Sequence, residues 1–300
     1  MQILKAHGLV LLATLLIAGS FLASANVTGQ VHPVSLNLLR FVIATSCVLP
    51  VVLMNKNYRK QIPLVFPRSF VISFFYCGYF VCLFAALLTT TVLNTGTLYT
   101  LTPFVTAVFS FVLLKQPIGL SRIFAYTLGA AGTLWVIFEG NIEAFQRLTL
   151  NAGDLIFMLG VLSMCGYTIS MKLLYKQDSV AVLTCCTLIG GTLWMALAVL
   201  MLGIPLQWNL LTTGEYASMI YLAIGTTLVT SYLYQKAATV LSPNNLTAYI
   251  YLSPAFVALL NWGVNGKTVS NTVMLGVALS VIATLFLQVM SFAKNKTVGR

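Results

Sequence analysis

Acidic side chains are nearly missing from this sequence: Asp and Glu together number five in 300 residues, and His two. Charged residues of both signs make up only 7%, whereas a soluble domain carries about a quarter. So few charges cannot cover a water-facing globule, which excludes an ordinary soluble enzyme domain. The 59% hydrophobic content excludes a disordered chain. Catalytic constellations are lacking too, with no H-E-x-x-H helix and no histidine spaced to serve a nucleophile. The six cysteines fall inside apolar runs without a C-x-x-C pair, so neither a metal site nor a redox motif is indicated. A pore-lining charge ring or filter sequence is likewise missing, which leaves a channel unsupported. No cofactor and no metal are expected.

What is present is apolar length, with a mean hydropathy of +0.95. A helix needs ~20 apolar residues to cross the hydrocarbon core. Ten runs qualify: 7–26, 35–54, 69–89, 91–114, 119–138, 152–174, 180–202, 215–238, 243–264 and 271–293. They leave no room for a separate soluble domain. The apolar stretch from Ser69 to Leu114 is too long for one crossing and is read as two, joined near Thr89-Thr90-Thr91. Lys5, the run Leu9–Ala18 and Ala23-Ser24-Ala25 also resemble a signal peptide. The run is long for a signal, however, and an even number of spans explains the charges better.

Those charges set the orientation expected. With the N-terminus in the cytoplasm, thirteen Lys and Arg fall on the cytoplasmic side, clustered at 56–68 and 294–300. Only Arg147 and Lys267 fall on the far side, and Arg40 lies within a span. Both termini are therefore expected in the cytoplasm of a multi-pass plasma (inner) membrane protein. The net charge of +11 reads as an orientation signal facing anionic lipid. Nucleic acid is not an expected partner; a small-molecule substrate and the lipid bilayer are, with a homodimer left open.

Five spans per half is an odd number, so a duplication would place the halves upside down relative to each other. A shift of 151 positions pairs Ala86 with Ala237, Asn94 with Asn245, Leu101 with Leu252, Pro103 with Pro254 and Ala107 with Ala258. Small residues at helical spacing, Ala125/Gly129/Gly132 and Gly276/Ser280/Ala283, recur in spans five and ten and permit close helix approach. The expected fold class is all-α: ten transmembrane helices as two inverted five-helix repeats, an architecture that many secondary transporters share.

Several motifs carry a family resemblance: His32-Pro33 followed by Arg40-Phe41, then Ala86-Leu87…Leu101-Thr102-Pro103…Leu114-Lys115-Gln116. The echo Ala237…Leu252-Ser253-Pro254…Asn265-Gly266-Lys267 and the Gly153-Asp154 opening of span six complete the set. Together they resemble the EamA-domain branch of the drug/metabolite transporter superfamily. Gln116 and Lys267 stand where that family usually has glutamate, and Ala18-Gly19-Ser20-Phe21 replaces its tryptophan. The resemblance implies two EamA units, 1–140 and 152–294, a short cytoplasmic tail 295–300, and a central cavity between them. It also implies a carrier that often exports amino acids or related small metabolites by alternating access. A non-transporting or lipid-handling membrane protein of the same fold is the alternative.

Arg40 is the most informative candidate, because a charge inside the membrane generally faces a cavity or a partner. It would attract a carboxylate; the competing reading is that it snorkels to the outer headgroups. Asn94 and Asn245, equivalent under the repeat, offer donors and acceptors to a substrate, or else cap and bridge helices. Pro103 and Pro254 are candidate hinges. Ser20, Tyr167, Gln235 and Tyr249 combine polarity with depth and complete the expected pocket. No Asp, Glu or His falls midspan, so uniport, exchange and proton antiport all stay open.

Overall fold

Water cannot reach the backbone in hydrocarbon, so each crossing must close its own hydrogen bonds as a helix. The computed structural model describes residues 2–25, 27, 29, 31–90, 92–116, 118–147, 150–265 and 271–298, and no β-strand occurs among them. The first half contains α1 (Gln2–Ala25), α2 (Pro33–Met54), α3 (Lys56–Ala86), α4 (Val92–Tyr99), α5 (Thr102–Leu114) and α6 (Leu120–Ile137). A short helix, α7 (Ile142–Gln146), leads to the second half. That half contains α8 (Ala152–Leu174), α9 (Val180–Leu202), α10 (Thr213–Ile220), α11 (Thr230–Ala238), α12 (Pro243–Ala248), α13 (Ser253–Asn265) and α14 (Asn271–Val298). The π-helical segment Tyr221–Val229 joins α10 to α11, and the 3₁₀ turn Tyr249–Leu252 joins α12 to α13.

Among the described residues, nine helical segments are long and apolar enough to cross a membrane. Residues 243–265 make the tenth crossing in three linked pieces. The protein is thus an all-α, ten-helix membrane protein built from two five-helix halves. Its repeat is visible in the elements themselves: the 151-residue offset relates Val92 to Pro243, Thr102 to Ser253, Leu114 to Asn265 and Leu120 to Asn271, each pair bounding matched helices.

Local sequence explains most helix ends. His32 caps α2 through Nδ1, which accepts from the Val34 amide at 3.3 Å, with Pro33 in the first turn. Asn55 ends α2 and caps α3, accepting from the Asn57 and Tyr58 amides. Reciprocal capping boxes start α8 (Asn151 with Asp154) and α10 (Thr212 with Glu215). Gly203 closes α9 in the left-handed conformation, φ 61°.

One expectation needs correction. The basic loop at 55–68 is mostly helix, forming about three and a half extra turns of α3 outside the apolar span. Residues 295–298 of the expected tail continue α14. Thr91, Lys267 and Arg300 lie outside the described residues.

The prolines also sit differently from a mid-helix kink. Pro103 and Pro254 are each the second residue of a new helix, after a break. Pro103 has no N–H to offer the carbonyl four residues back, and the Thr102 hydroxyl donates to that carbonyl, Tyr99 O, at 2.7 Å. In the second half, Thr133 of α6 donates to Tyr251 O at 3.1 Å, across the repeat interface. Hydroxyl groups therefore satisfy carbonyls that the breaks expose.

α3 packs against α8 and α9, α2 against α9 and the π segment, and α1 against α11 and α13. α6 and α14, partners under the repeat, pack closest at Gly132 and Gly276. A Cβ at Gly276 would meet Gly132 O at 2.8 Å, and one at Gly132 would meet Ser280 N at 2.7 Å. Leu193, Leu197 and Leu200 of α9 and Phe111 and Val112 of α5 point outward, as a lipid-facing surface requires.

Candidate functional site

A cavity of about 380 Å³ lies between the two halves. Its walls come from the last turns of α1 (Ile17, Ser20, Ser24), from α3 (Tyr76, Tyr79, Phe80, Leu83), and from α4 (Thr95, Tyr99). The second half contributes Met164 and Tyr167 of α8, Thr226 of the π segment, and Thr230, Ser231 and Tyr234 of α11. The cavity reaches the end of the bundle at which α1 and α3 terminate, where Leu87 and Thr90 also line it.

Arg40 enters this cavity from α2 and, among the described residues, is the one charged side chain in its lining. It is only 3% exposed, so the guanidinium turns inward and does not snorkel to the headgroups. Its Nε donates to the Thr227 hydroxyl and its Nη2 to the Thr226 hydroxyl at 2.7 Å. Both threonines donate their own protons to Leu222 O, at 2.9 Å each, so their oxygen lone pairs face the arginine. The π segment brings these neighbouring hydroxyls to one guanidinium edge, a geometry consistent with the frequent placement of π-helical turns at functional sites. Phe80 lies beneath, its ring centroid 4.2 Å from the guanidinium carbon. Among the described residues the ion pairs are Arg68–Asp178 and Arg147–Glu143, so Arg40 has no carboxylate counter-ion.

Aromatic rings form the rest of the wall. Tyr76 stacks on Tyr167 with centroids 4.6 Å apart, and Tyr79 meets Tyr99 at 5.9 Å. Ser231 donates to the Tyr76 hydroxyl at 2.9 Å. The Tyr167 hydroxyl is buried beside the cavity, with Gln235 and Ser231 as its polar neighbours.

Of the residues expected from sequence, Ser20, Arg40 and Tyr167 line this cavity. Asn94 stands behind it, where its Nδ2 donates to Asp154 Oδ2 at 2.9 Å. Asp154 is 1% exposed and also accepts from Thr90 at 2.5 Å and from the Asn151 amide at 2.8 Å. Gln235 is buried between Thr184 and Thr187, accepting at 2.7 Å and donating at 3.1 Å. Tyr249 shares a 2.9 Å hydrogen bond with His7. Asn245 sits in the first turn of α12 and its backbone carbonyl accepts from Gln288. These four bridge helices around the cavity without lining it. Tyr76, Tyr234, Thr226 and Ser231 escaped the sequence reading, since no local signal separates a cavity-facing Tyr or Thr from a packed one.

Comparison with known proteins agrees with this architecture. A stretch of 185 residues is 20% identical to the uncharacterized transporter YyaM of Bacillus subtilis (strain 168), covering 62% of this chain and 60% of that protein. Another, of 205 residues, is 27% identical to protein PecM of Dickeya dadantii (strain 3937), covering 66% of each. The chain thus matches less than two thirds of the length of either relative. A solved crystal structure superposes with a TM-score of 0.76 at 19% identity, over 95% of this chain and 97% of that one, which shows a shared fold. The pattern of the EamA-like transporter family matches residues 4–138 and again residues 151–289. With one family unit matched twice and ten crossings around a central cavity, the chain belongs to the EamA-like transporter family.

Proposed function

We propose that the chain is a secondary carrier that exports small carboxylate-bearing metabolites, amino acids or their relatives, across the plasma membrane by alternating access. The observation that carries this reading is Arg40, buried in the cavity between the halves without a counter-ion among the described residues. A buried cation is costly unless something pairs with it, and a carboxylate entering the cavity supplies the pair. Ser20 and Tyr167 contact the substrate beside Arg40. Asn94, Gln235, Asn245 and Tyr249 hold the surrounding helices in register. The two units, 1–140 and 152–294, rock against each other, and the breaks before Pro103 and Pro254 act as matched hinges.

Counterflow in proteoliposomes tests the carrier reading, with saturable uptake that internal substrate accelerates as the expected result. Linear, unsaturable flux or no flux would refute it. Charge-assisted hydrogen bonds contribute about 1.5–3 kcal/mol, so Arg40→Ala should raise KM for a carboxylate substrate by roughly 10- to 150-fold. Arg40→Lys should fall between, because it keeps the charge and loses the fork. Unchanged kinetics in Arg40→Ala would remove the arginine from substrate binding.

A further inference from the structure

We infer that the central cavity selects organic monoanions over zwitterions built on the same skeleton. The inference rests on the carrier reading and narrows its substrate class, since carboxylate-bearing metabolites include both simple acids and amino acids. Three features carry it.

The first is the charge balance. Among the described residues Arg40 is the one charged group lining the cavity, so a bound monoanion leaves the site neutral, whereas a zwitterion leaves it with a net positive charge. Asp154 does not relieve that excess. Its side chain lies behind Thr90, and both oxygens are engaged, Oδ1 by Thr90 and Oδ2 by Asn94 and the Asn151 amide. A substrate ammonium would therefore be desolvated beside a guanidinium with no carboxylate to receive it.

The second feature is the guanidinium fork. Thr227 and Thr226 occupy the edge formed by Nε and Nη2. Arginine has five N–H donors, so the end-on edge between Nη1 and Nη2 keeps its pair for both oxygens of one carboxylate. The third is the state of the aromatic faces, which could otherwise attract an ammonium. Arg40 already covers one face of Phe80 at 4.2 Å, and Tyr76 and Tyr167 cover each other at 4.6 Å. The rings and hydroxyls that remain suit an apolar body with few polar groups.

The test uses three probes of one skeleton in different charge states: 3-phenylpropanoate, L-phenylalanine and phenethylamine. Hexanoate, L-norleucine and pentylamine repeat the comparison on an alkyl chain. Binding to the purified full-length chain in detergent is measured by ligand-induced thermal stabilisation at neutral pH. In at least one set the anion should bind about 10-fold tighter than the zwitterion, with the amine weakest. Arg40→Gln should abolish this preference, and Arg40→Lys should retain much of it. Zwitterions that bind as well as the anions in both sets, or anions that fail to bind in both, overturn the inference. Counterflow separates this result from the carrier reading: an anion that binds but never exchanges across a proteoliposome contradicts transport and leaves the selectivity standing. Preferential exchange of the zwitterion overturns the selectivity and leaves transport standing.

Discussion

Alanine at Gly132 or Gly276 adds one methyl group where α6 and α14 meet backbone to backbone. The new Cβ at 276 would lie 2.8 Å from Gly132 O and 3.0 Å from Val136 N, and the one at 132 would lie 2.7 Å from Ser280 N. Ordinary contact begins near 3.4 Å, so the helices must separate by about 0.6 Å. A gap of that size forfeits a quarter to a half of each dispersion contact along the seam. Overpacking of this kind costs about 1–3 kcal/mol, against a gain of ~1 kcal/mol in helix propensity. Packing offsets or outweighs that gain, with a net loss of roughly 0–2 kcal/mol for each substitution. Gly8→Ala is the control, because nothing lies within 4 Å of its Cβ and only the propensity gain applies. The two variants therefore fall about 1–3 kcal/mol below the control, and thermal unfolding in detergent, followed by tryptophan fluorescence, should place them roughly 2–12 °C below Gly8→Ala. The double substitution should cost less than the sum, since a seam already wedged open accepts the second methyl more easily. If the single variants unfold within about a degree of the control, the close seam is not a determinant of stability.

Asp154→Asn keeps the shape of the side chain and removes the charge that Thr90, Asn94 and the Asn151 amide bond. It should destabilise by about 1–2 kcal/mol, and adding Asn94→Ala should cost little more; fully additive losses in thermal unfolding would show that the network is not one unit. Arg68 makes two hydrogen bonds to Asp178, at 2.8 and 3.0 Å, and one to Leu174 O, fastening α3 to the end of α8. Both side chains are partly exposed, so Arg68→Ala should cost only about 1 kcal/mol, and raising the salt should shrink that difference. In a background stripped of native cysteine, single cysteines near residues 30 and 148 should react with an impermeant label from outside, and one near residue 58 should not. The reverse pattern would invert the proposed topology.

Hydropathy alone located several crossings well: the runs 152–174 and 180–202 coincide with α8 and α9, and the run ending at 114 ends with α5. What hydropathy reports is membrane depth. It does not report which way a residue faces around a helix that is apolar on all sides. The charge of Arg40 singled it out but left two readings, a cavity or the outer headgroups, and its contacts with Thr226 and Thr227 decide between them. Ser20 and Tyr167 were reachable by depth, yet Gln235 and Tyr249, chosen on the same grounds, face neighbouring helices. The π segment was hard to read because its local signals, Gly225 and the β-branched pair Thr226-Thr227, are ones that ordinary membrane helices also carry.

That segment also breaks the resemblance between the two halves. Under the 151-residue offset it corresponds to residues 70–78, which lie inside the regular helix α3. An exact inverted repeat, exchanging roles on each cycle, would make its two end states related by a two-fold rotation and equal in intrinsic energy. A wide turn in one half only, bonded to an arginine that comes from the other, removes that degeneracy. In the proposed carrier, the resting preference of the empty protein for one side of the membrane would then be written into one nine-residue segment, independently of any ion gradient.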